Sequence, residues 1–202
     1  MKNKIAWVLT IFLCLNAHFI GAQGKRSMST KEYIDSFHEF AMQEMRNHGV
    51  PASITLGQGI LESASGNSRL SKECNNHFGI KCRREWKGRF CLADDDAKDE
   101  CFRGYESAYE SYRDHSLFLK NSRRYDFLFE LKPLDYKGWA HGLRKAGYAT
   151  NPAYGNILTR IIEKYSLAHY DSIVVLGKEV FEKGPSEVLK VNGIPAVAAK
   201  AG

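Results

Sequence analysis

The sequence predicts a mainly α-helical domain interrupted by a small β lobe, an α+β arrangement. Three observations carry that expectation. Apolar residues recur at helical spacing from Tyr33 to Leu61. Four cysteines then crowd into residues 74–101, where the helical period fails. After Ser107 the helical spacing returns and runs on to Tyr165.

Each element has a local reason. Ser29-Thr30-Lys31-Glu32 forms a capping box ahead of Tyr33, Phe37, Phe40, Ala41 and Met45, and Gly49 supplies the stop. Pro51 suits the first turn of a second helix bearing Ile54, Leu56, Ile60 and Leu61. Small polar residues at 63–67 break it just after Glu62. Within residues 74–106 short strands are expected at 78–82 and 101–103, with a turn and strand edges over 86–90. A lobe of that size cannot hold itself by packing alone and needs covalent staples. A helix follows over 107–119. Asp135 caps another that carries Trp139, Ala140 and Leu143 and stops at Gly147. Asn151-Pro152 opens a last helix with Tyr154, Ile157, Leu158, Ile161, Ile162 and Tyr165 on its apolar face. The domain is expected to span residues 23–170, and residues 171–202 read as a linker-like tail.

The first 22 residues read as an export signal: Lys2 and Lys4, an apolar run over 5–15, then Ile20-Gly21-Ala22 as a cleavage site after Ala22. The run is too short for a membrane span. Ile11-Phe12-Leu13 before Cys14 lacks the small residues of a lipid-attachment site, and an uncleaved anchor is the alternative. Removing the signal takes away two lysines and no acid, so the formal charge falls from +6 to +4. The expected location is secreted or periplasmic, with no stable membrane association after cleavage. Nucleic acid is not an expected partner, and an anionic envelope polymer is the more natural target. Oligomeric state is not legible.

Cys74, Cys82, Cys91 and Cys101 remain after cleavage, so two disulfides are expected. Of three possible pairings the expected one is Cys82–Cys101 with Cys74–Cys91, the first tying segment 80–82 to segment 101–103. Zinc with His77 as an extra ligand is the rival, but no Cys-x-x-Cys pair occurs, so neither a metal nor another cofactor is expected.

Chemistry centres on Glu62, delivered by an apolar stretch to a helix end. Burial and the negative end of the helix dipole both favour a protonated carboxyl there. Such an acid suits cleavage of a glycosidic bond. An all-helical body with a β insert after its second helix is a lysozyme-like plan. Glu62 in its Gln58-x-x-x-Glu62-Ser63 setting, Asn76-His77-Phe78-Gly79-Ile80-Lys81, Cys101-Phe102-Arg103-Gly104-Tyr105 and Gly147-Tyr148-Ala149-Thr150-Asn151-Pro152-x-Tyr154 follow in order. Together, over about residues 36–168, they make the chain similar to the family-73 endo-β-N-acetylglucosaminidases, the flagellar-muramidase-type peptidoglycan hydrolases. That resemblance implies hydrolysis of the β-1,4 bond between N-acetylglucosamine and N-acetylmuramic acid in peptidoglycan glycan strands. It implies Glu62 as general acid and Tyr148 as a tyrosine lining the cleaved sugar. Tyr154 is a substrate-side candidate as well, although its place on an apolar helix face fits a core residue better.

The family commonly has a Glu in the β lobe, where this chain has Asp94-Asp95-Asp96 with Glu100 nearby. Asp95 is the expected second carboxylate by position. The separation of the two acids would decide between inversion and a covalent intermediate, and the substrate's own acetamido oxygen is a third possible nucleophile. Asn76 and His77 are candidates for bonding sugar groups, with Asn75 beside them. Trp86 and Tyr105, and also Phe90, are candidates for stacking, whereas Trp139 reads as core. Asn151 replaces the family's frequent Asp, and either residue serves as a cap. Two other functions fit the same plan: a lytic transglycosylase with a single catalytic Glu, and a wall-binding module without turnover. Lys190-Val191-Asn192-Gly193-Ile194-Pro195-Ala196 resembles the approach to a LysM wall-binding repeat.

Overall fold

The computed structural model describes residues 26–95 and 97–183. The signal segment, Asp96 and the LysM-like stretch lie outside the described residues. Helices α1 (Thr30–His48) and α2 (Ala52–Glu62) come first, then a short α3 (Arg69–Cys74). Strands β1 (Phe90–Ala93) and β2 (Glu100–Arg103) follow as an antiparallel pair, Cys91 opposite Phe102. Helix α4 (Ala108–Lys120), a 3₁₀ segment (Arg123–Glu130), α5 (Tyr136–Lys145), α6 (Tyr154–Lys164) and α7 (Ala168–Lys183) complete the chain.

The capping box forms as expected: Ser29 Oγ accepts from Glu32 N, and the Glu32 carboxylate accepts from Ser29 N at 2.8 Å. Gly49 ends α1 at φ +81°, a conformation that costs a glycine nothing. Asp135 caps α5 by accepting from Gly138 N at 2.8 Å. Asn151 accepts from Ala153 N at 2.9 Å in the turn that leads into α6.

Helix α2 is the axis of the molecule, buried from Ala52 to Ile60 and packed against α1, α5, α6 and α7. The close approach of α6 requires Gly57, where a Cβ would stand 2.7 Å from the Leu158 side chain. The core joins Tyr33, Ile54, Leu56, Tyr112, Leu128, Trp139 and Leu158, and Trp139 belongs to it as expected. Among the described residues no helix is long and apolar enough to cross a membrane.

The structure differs from the sequence reading in two regions. Residues 171–183 are not linker but most of α7. Asp171 there is fully buried and caps α2 from outside, accepting from Ser53 N at 2.8 Å and from Ser53 Oγ at 2.5 Å. An acid at a helix N-terminus satisfies free N–H groups and opposes the positive end of the dipole. Within the lobe, the strand expected at 78–82 is reduced to one bridge, Lys81 opposite Phe102. Hydrogen bonds flank it, Arg103 N to Ile80 O at 2.9 Å and Cys82 N to Cys101 O at 2.8 Å. Gly79 at φ +63° turns the chain there, and the Asn76 side chain bonds the backbone around that turn in place of a sheet partner.

Cys74, the last residue of α3, is joined to Cys91 in β1 with a Cα–Cα distance of 6.4 Å. Cys82 is joined to Cys101 in β2 at 5.3 Å. The lobe is thereby stapled once to the helical body and once across itself.

Candidate active site

An open cleft of about 790 Å³ runs between the lobe and the helical body. Glu62, Tyr148 and Tyr154 line its helical wall; Lys81, Arg83, Asp94 and Asp95 line the lobe side. Phe118, Arg124 and Tyr125 also face it.

Glu62 is the last residue of α2, and the chain leaves the helix sharply behind it. Ala64, Ser65 and Gly66 follow in the left-handed region at φ 50°, 55° and 76°. Two of these are not glycine, so the turn stores strain of about 1–3 kcal/mol per residue that its surroundings must offset. They do so through polar contacts. Ser63 Oγ accepts from Gly66 N at 2.7 Å, and Asn67 Nδ2 donates to the carbonyls of Met28, Ala64 and Ser65.

The Glu62 carboxyl is wired from below. Tyr154 Oη donates to Glu62 Oε1 at 2.9 Å, and Gln58 Nε2 donates to Tyr154 Oη at 2.9 Å. Gln58 Oε1 in turn faces His115 Nε2 at 3.1 Å. His115 is fully buried and stacked on Phe78 with ring centroids 4.1 Å apart. Burial lowers its pKa to about 3, so the ring is neutral and Nε2 carries its proton toward the amide oxygen. Every donor therefore points toward Glu62. Because Gln58 occupies the Tyr154 oxygen, the tyrosine proton is committed to Oε1. A protonated Glu62 must then carry its own proton on Oε2.

Glu62 is exposed to the cleft as a residue, yet protein atoms crowd its carboxyl and displace water. That desolvation raises its pKa from the ordinary carboxyl value, and the Tyr154 hydrogen bond opposes the rise. Tyr148 packs beside Tyr154 with the rings tilted, centroids 5.7 Å apart, and lines the same wall with its hydroxyl free of a protein partner among the described residues. Burial raises its pKa well above the usual tyrosine value, so it stands as a neutral donor.

The loop after β1 brings Asp94 and Asp95 to the cleft. Asp94 Oδ1 accepts from Asp99 N at 3.0 Å and shapes the loop. Asp95 Oδ2 pairs with Lys81 Nζ at 2.9 Å. Glu100 lies outside the cleft lining and binds the same ammonium at 3.0 Å.

Four candidates for substrate contact are not in the cleft. Asn76 is 1% exposed; its amide donates to the Ile80 and Arg103 carbonyls, and its oxygen accepts from Phe78 N and Ile80 N. His77 is buried, with Nδ1 3.0 Å from Tyr33 Oη, whose own oxygen takes the Tyr112 proton. Tyr105 is buried and donates to Asp114 at 2.7 Å. Trp86 packs edge-on against Tyr105 and beneath the Arg103 guanidinium, and it does not line the cleft. Asn76, Tyr105 and Trp86 spend their polar or aromatic surface on holding the lobe, and His77 spends its ring on the helical body. Asn75 likewise donates to Tyr105 O, and Phe90 points outward.

The sequence places Gln58 in the Glu62 motif without indicating a role for it, and it does not single out His115, Arg83 or Arg124. Gln58 had a signal, since position i−4 on a helix shares the face of Glu62. His115, Arg83 and Arg124 had none, because long-range packing brings them to the site. Among the described residues no group of three or more His, Cys, Asp or Glu is placed to hold a metal ion.

Residues 38–167 match the glucosaminidase family, described as mannosyl-glycoprotein endo-beta-N-acetylglucosaminidase. The chain is similar to "Exo-glucosaminidase LytG" of Bacillus subtilis (strain 168), 35% identical over 154 residues that cover 70% of this chain and 53% of the relative. It is 29% identical to "Peptidoglycan hydrolase FlgJ" of Vibrio cholerae, covering 66% of this chain and 43% of the relative. The chain thus spans about half the length of these curated relatives. Among solved structures, a peptidoglycan hydrolase from Sphingomonas sp. A1 superposes with a TM-score of 0.61 at 27% identity, over 72% of this chain and 95% of that one.

Proposed function

The chain belongs to the glucosaminidase family of glycoside hydrolases, and from that premise we propose that it is an exported peptidoglycan hydrolase that cleaves the β-1,4 bond between N-acetylglucosamine and N-acetylmuramic acid, with Glu62 as general acid. The observation that carries this reading is the Glu62 carboxyl at the cleft wall, desolvated and bonded by Tyr154 at Oε1, which leaves Oε2 to carry the acidic proton. A proton held there is available to a glycosidic oxygen lying in the cleft. The raised pKa keeps a larger share of the acid form as pH approaches neutrality.

Asp95 is the proposed base. Of the two described aspartates that line the cleft it is the one whose carboxylate is not bonded to its own loop backbone through the side chain. Its pairing with Lys81 occupies one oxygen and leaves the other for a water. Tyr148 is proposed to donate from its neutral hydroxyl to the sugar at the cleaved bond. Export rests on the pattern of residues 1–22 and agrees with a substrate in the cell wall.

Mass analysis of digested peptidoglycan tests this directly, with Glu62→Gln as control. Reducing N-acetylglucosamine ends are expected from the wild type and none from the control. Anhydro-muramic ends would instead identify a transglycosylase. An absence of products from the wild type, with binding retained, would leave a wall-binding module.

A further inference from the structure

The cleft contains a second polar feature that the acid–base chemistry does not use. Arg83, which follows Cys82 at the root of the lobe, and Arg124, in the 3₁₀ segment of the helical body, both line it. Their guanidinium carbons stand 5.3 and 5.8 Å from the centre of one ring, Phe118. The two groups are therefore no farther apart than those distances together. Arg124 also lies 4.6 Å from the Tyr125 ring centre and reaches the Gly147 carbonyl at 3.5 Å, immediately before Tyr148. Neither arginine has a carboxylate partner among the described residues, whereas Lys81, which also lines the cleft, is paired with Asp95 and Glu100.

Two guanidiniums gathered on one aromatic ring repel each other. Attraction of each cation to the ring offsets part of that repulsion. Such a pair of cations favours an anion in the cleft beside it. A carboxylate matches it best, because each guanidinium presents parallel N–H donors to a pair of oxygens.

We propose that Arg83 and Arg124 form a carboxylate subsite of the cleft, which receives an acidic group carried on the muramic acid branch of the glycan. The proposal rests on peptidoglycan as the substrate. Through this subsite the enzyme reads the charged branch as well as the sugar chain, and the branch anchors the strand next to Tyr148. Two sources share this chemistry: carboxylates of a stem peptide, and the lactyl carboxylate of a peptide-free muramic acid.

The test measures binding of soluble glycan strands to the full chain in the Glu62→Gln background, so that nothing is cleaved. Three preparations are compared: strands with stem peptides, strands stripped of peptides, and peptide-bearing strands whose carboxylates have been converted to amides. Amidation is expected to weaken binding about tenfold, the scale of a charge-assisted contact. In the Arg83→Gln/Arg124→Gln double variant the peptide-bearing strand is expected to bind as weakly as its amidated form, with no further loss on amidation. Unchanged thermal melting of the double variant would show that the fold is intact. Tight binding of stripped strands assigns the lactyl carboxylate, and weak binding of them assigns the peptide. Equal binding of amidated and unamidated strands without tighter, arginine-dependent binding of the stripped strands, or an amidation effect that persists in the double variant, overturns the proposal. Turnover by the protein with Glu62 restored is scored separately: its absence would defeat the hydrolase reading without altering the binding comparison.

Discussion

Glu62 and Asp95 face the same cleft, but the structure treats them differently. Glu62 ends the most deeply buried helix and is reached by a directed chain of hydrogen bonds from His115 through Gln58 and Tyr154. Asp95 sits on an exposed loop of a two-stranded lobe, and its carboxylate is paired with Lys81, itself only partly buried. A proposed acid must present one proton at one oxygen, which calls for a rigid frame. A proposed base needs only an available lone pair and a water, which a loop can provide. The difference teaches that the helical body fixes the position of the Glu62 carboxyl, while the lobe brings a charged, solvent-facing carboxylate to the same cleft.

The largest effect is expected at the rigid side. Glu62→Gln should lower turnover by about 10²–10⁴-fold, the usual worth of general acid catalysis, with the melting temperature preserved. Steady-state release of reducing ends measures it, and wild-type rates would remove Glu62 from the mechanism. Asp95→Asn should cost about 10²-fold if that carboxylate activates water. Asp94→Asn should act more weakly, through the loop it shapes. Near-normal rates in both variants, and in Glu100→Gln, would favour the acetamido-assisted route with Tyr148 as its orienting group.

Opening the Cys82–Cys101 staple sharpens the contrast between the two regions. The double Ser variant is expected to lose about 2–4 kcal/mol in the stability of the lobe. The helical circular dichroism should persist, because the helical core does not depend on that bridge. Activity should fall with the lobe while binding to Tyr148 and the arginines is only weakened. A global loss of helix in the double Ser variant would show that the two regions fold as one unit.

The smallest effect has an informative sign. The Tyr154 hydrogen bond favours the charged form of Glu62, so Tyr154→Phe should raise the Glu62 pKa further. The acid form is lost as pH rises through that value. The alkaline limb of the rate profile should therefore move to higher pH in the variant, even as the rate falls about tenfold for want of proton placement. A merely structural defect would lower the whole profile without moving its limb.

Local signals explain most of what was legible. Capping residues, glycine stops and apolar periodicity act within a few residues of themselves, so α1, α2, α4, α5 and the apolar face of α6 could be read in order. The short α3 and the 3₁₀ segment escaped because neither has enough turns to display a period. Helix α7 escaped because its apolar face is narrow and Asp171, a polar residue in a helix interior, looks like a solvent position until α2 stands beside it.

By itself the sequence determined the helical body with an interposed lobe, the placement of Glu62 at the end of an apolar helix, and the crowding of four cysteines into that lobe. These follow from spacing along the chain, which the polypeptide carries wherever it goes. The tertiary structure alone decided which polar residues face the cleft. Asn76, His77 and Tyr105 carry groups suited to sugars, but packing turned those groups toward backbone carbonyls, Tyr33 and Asp114. Gln58, Tyr154 and His115 come from three helices and meet only because α2, α4 and α6 pack around one core. Buried polar groups must find partners, and which partners are within reach is a property of the packed core that no local pattern records.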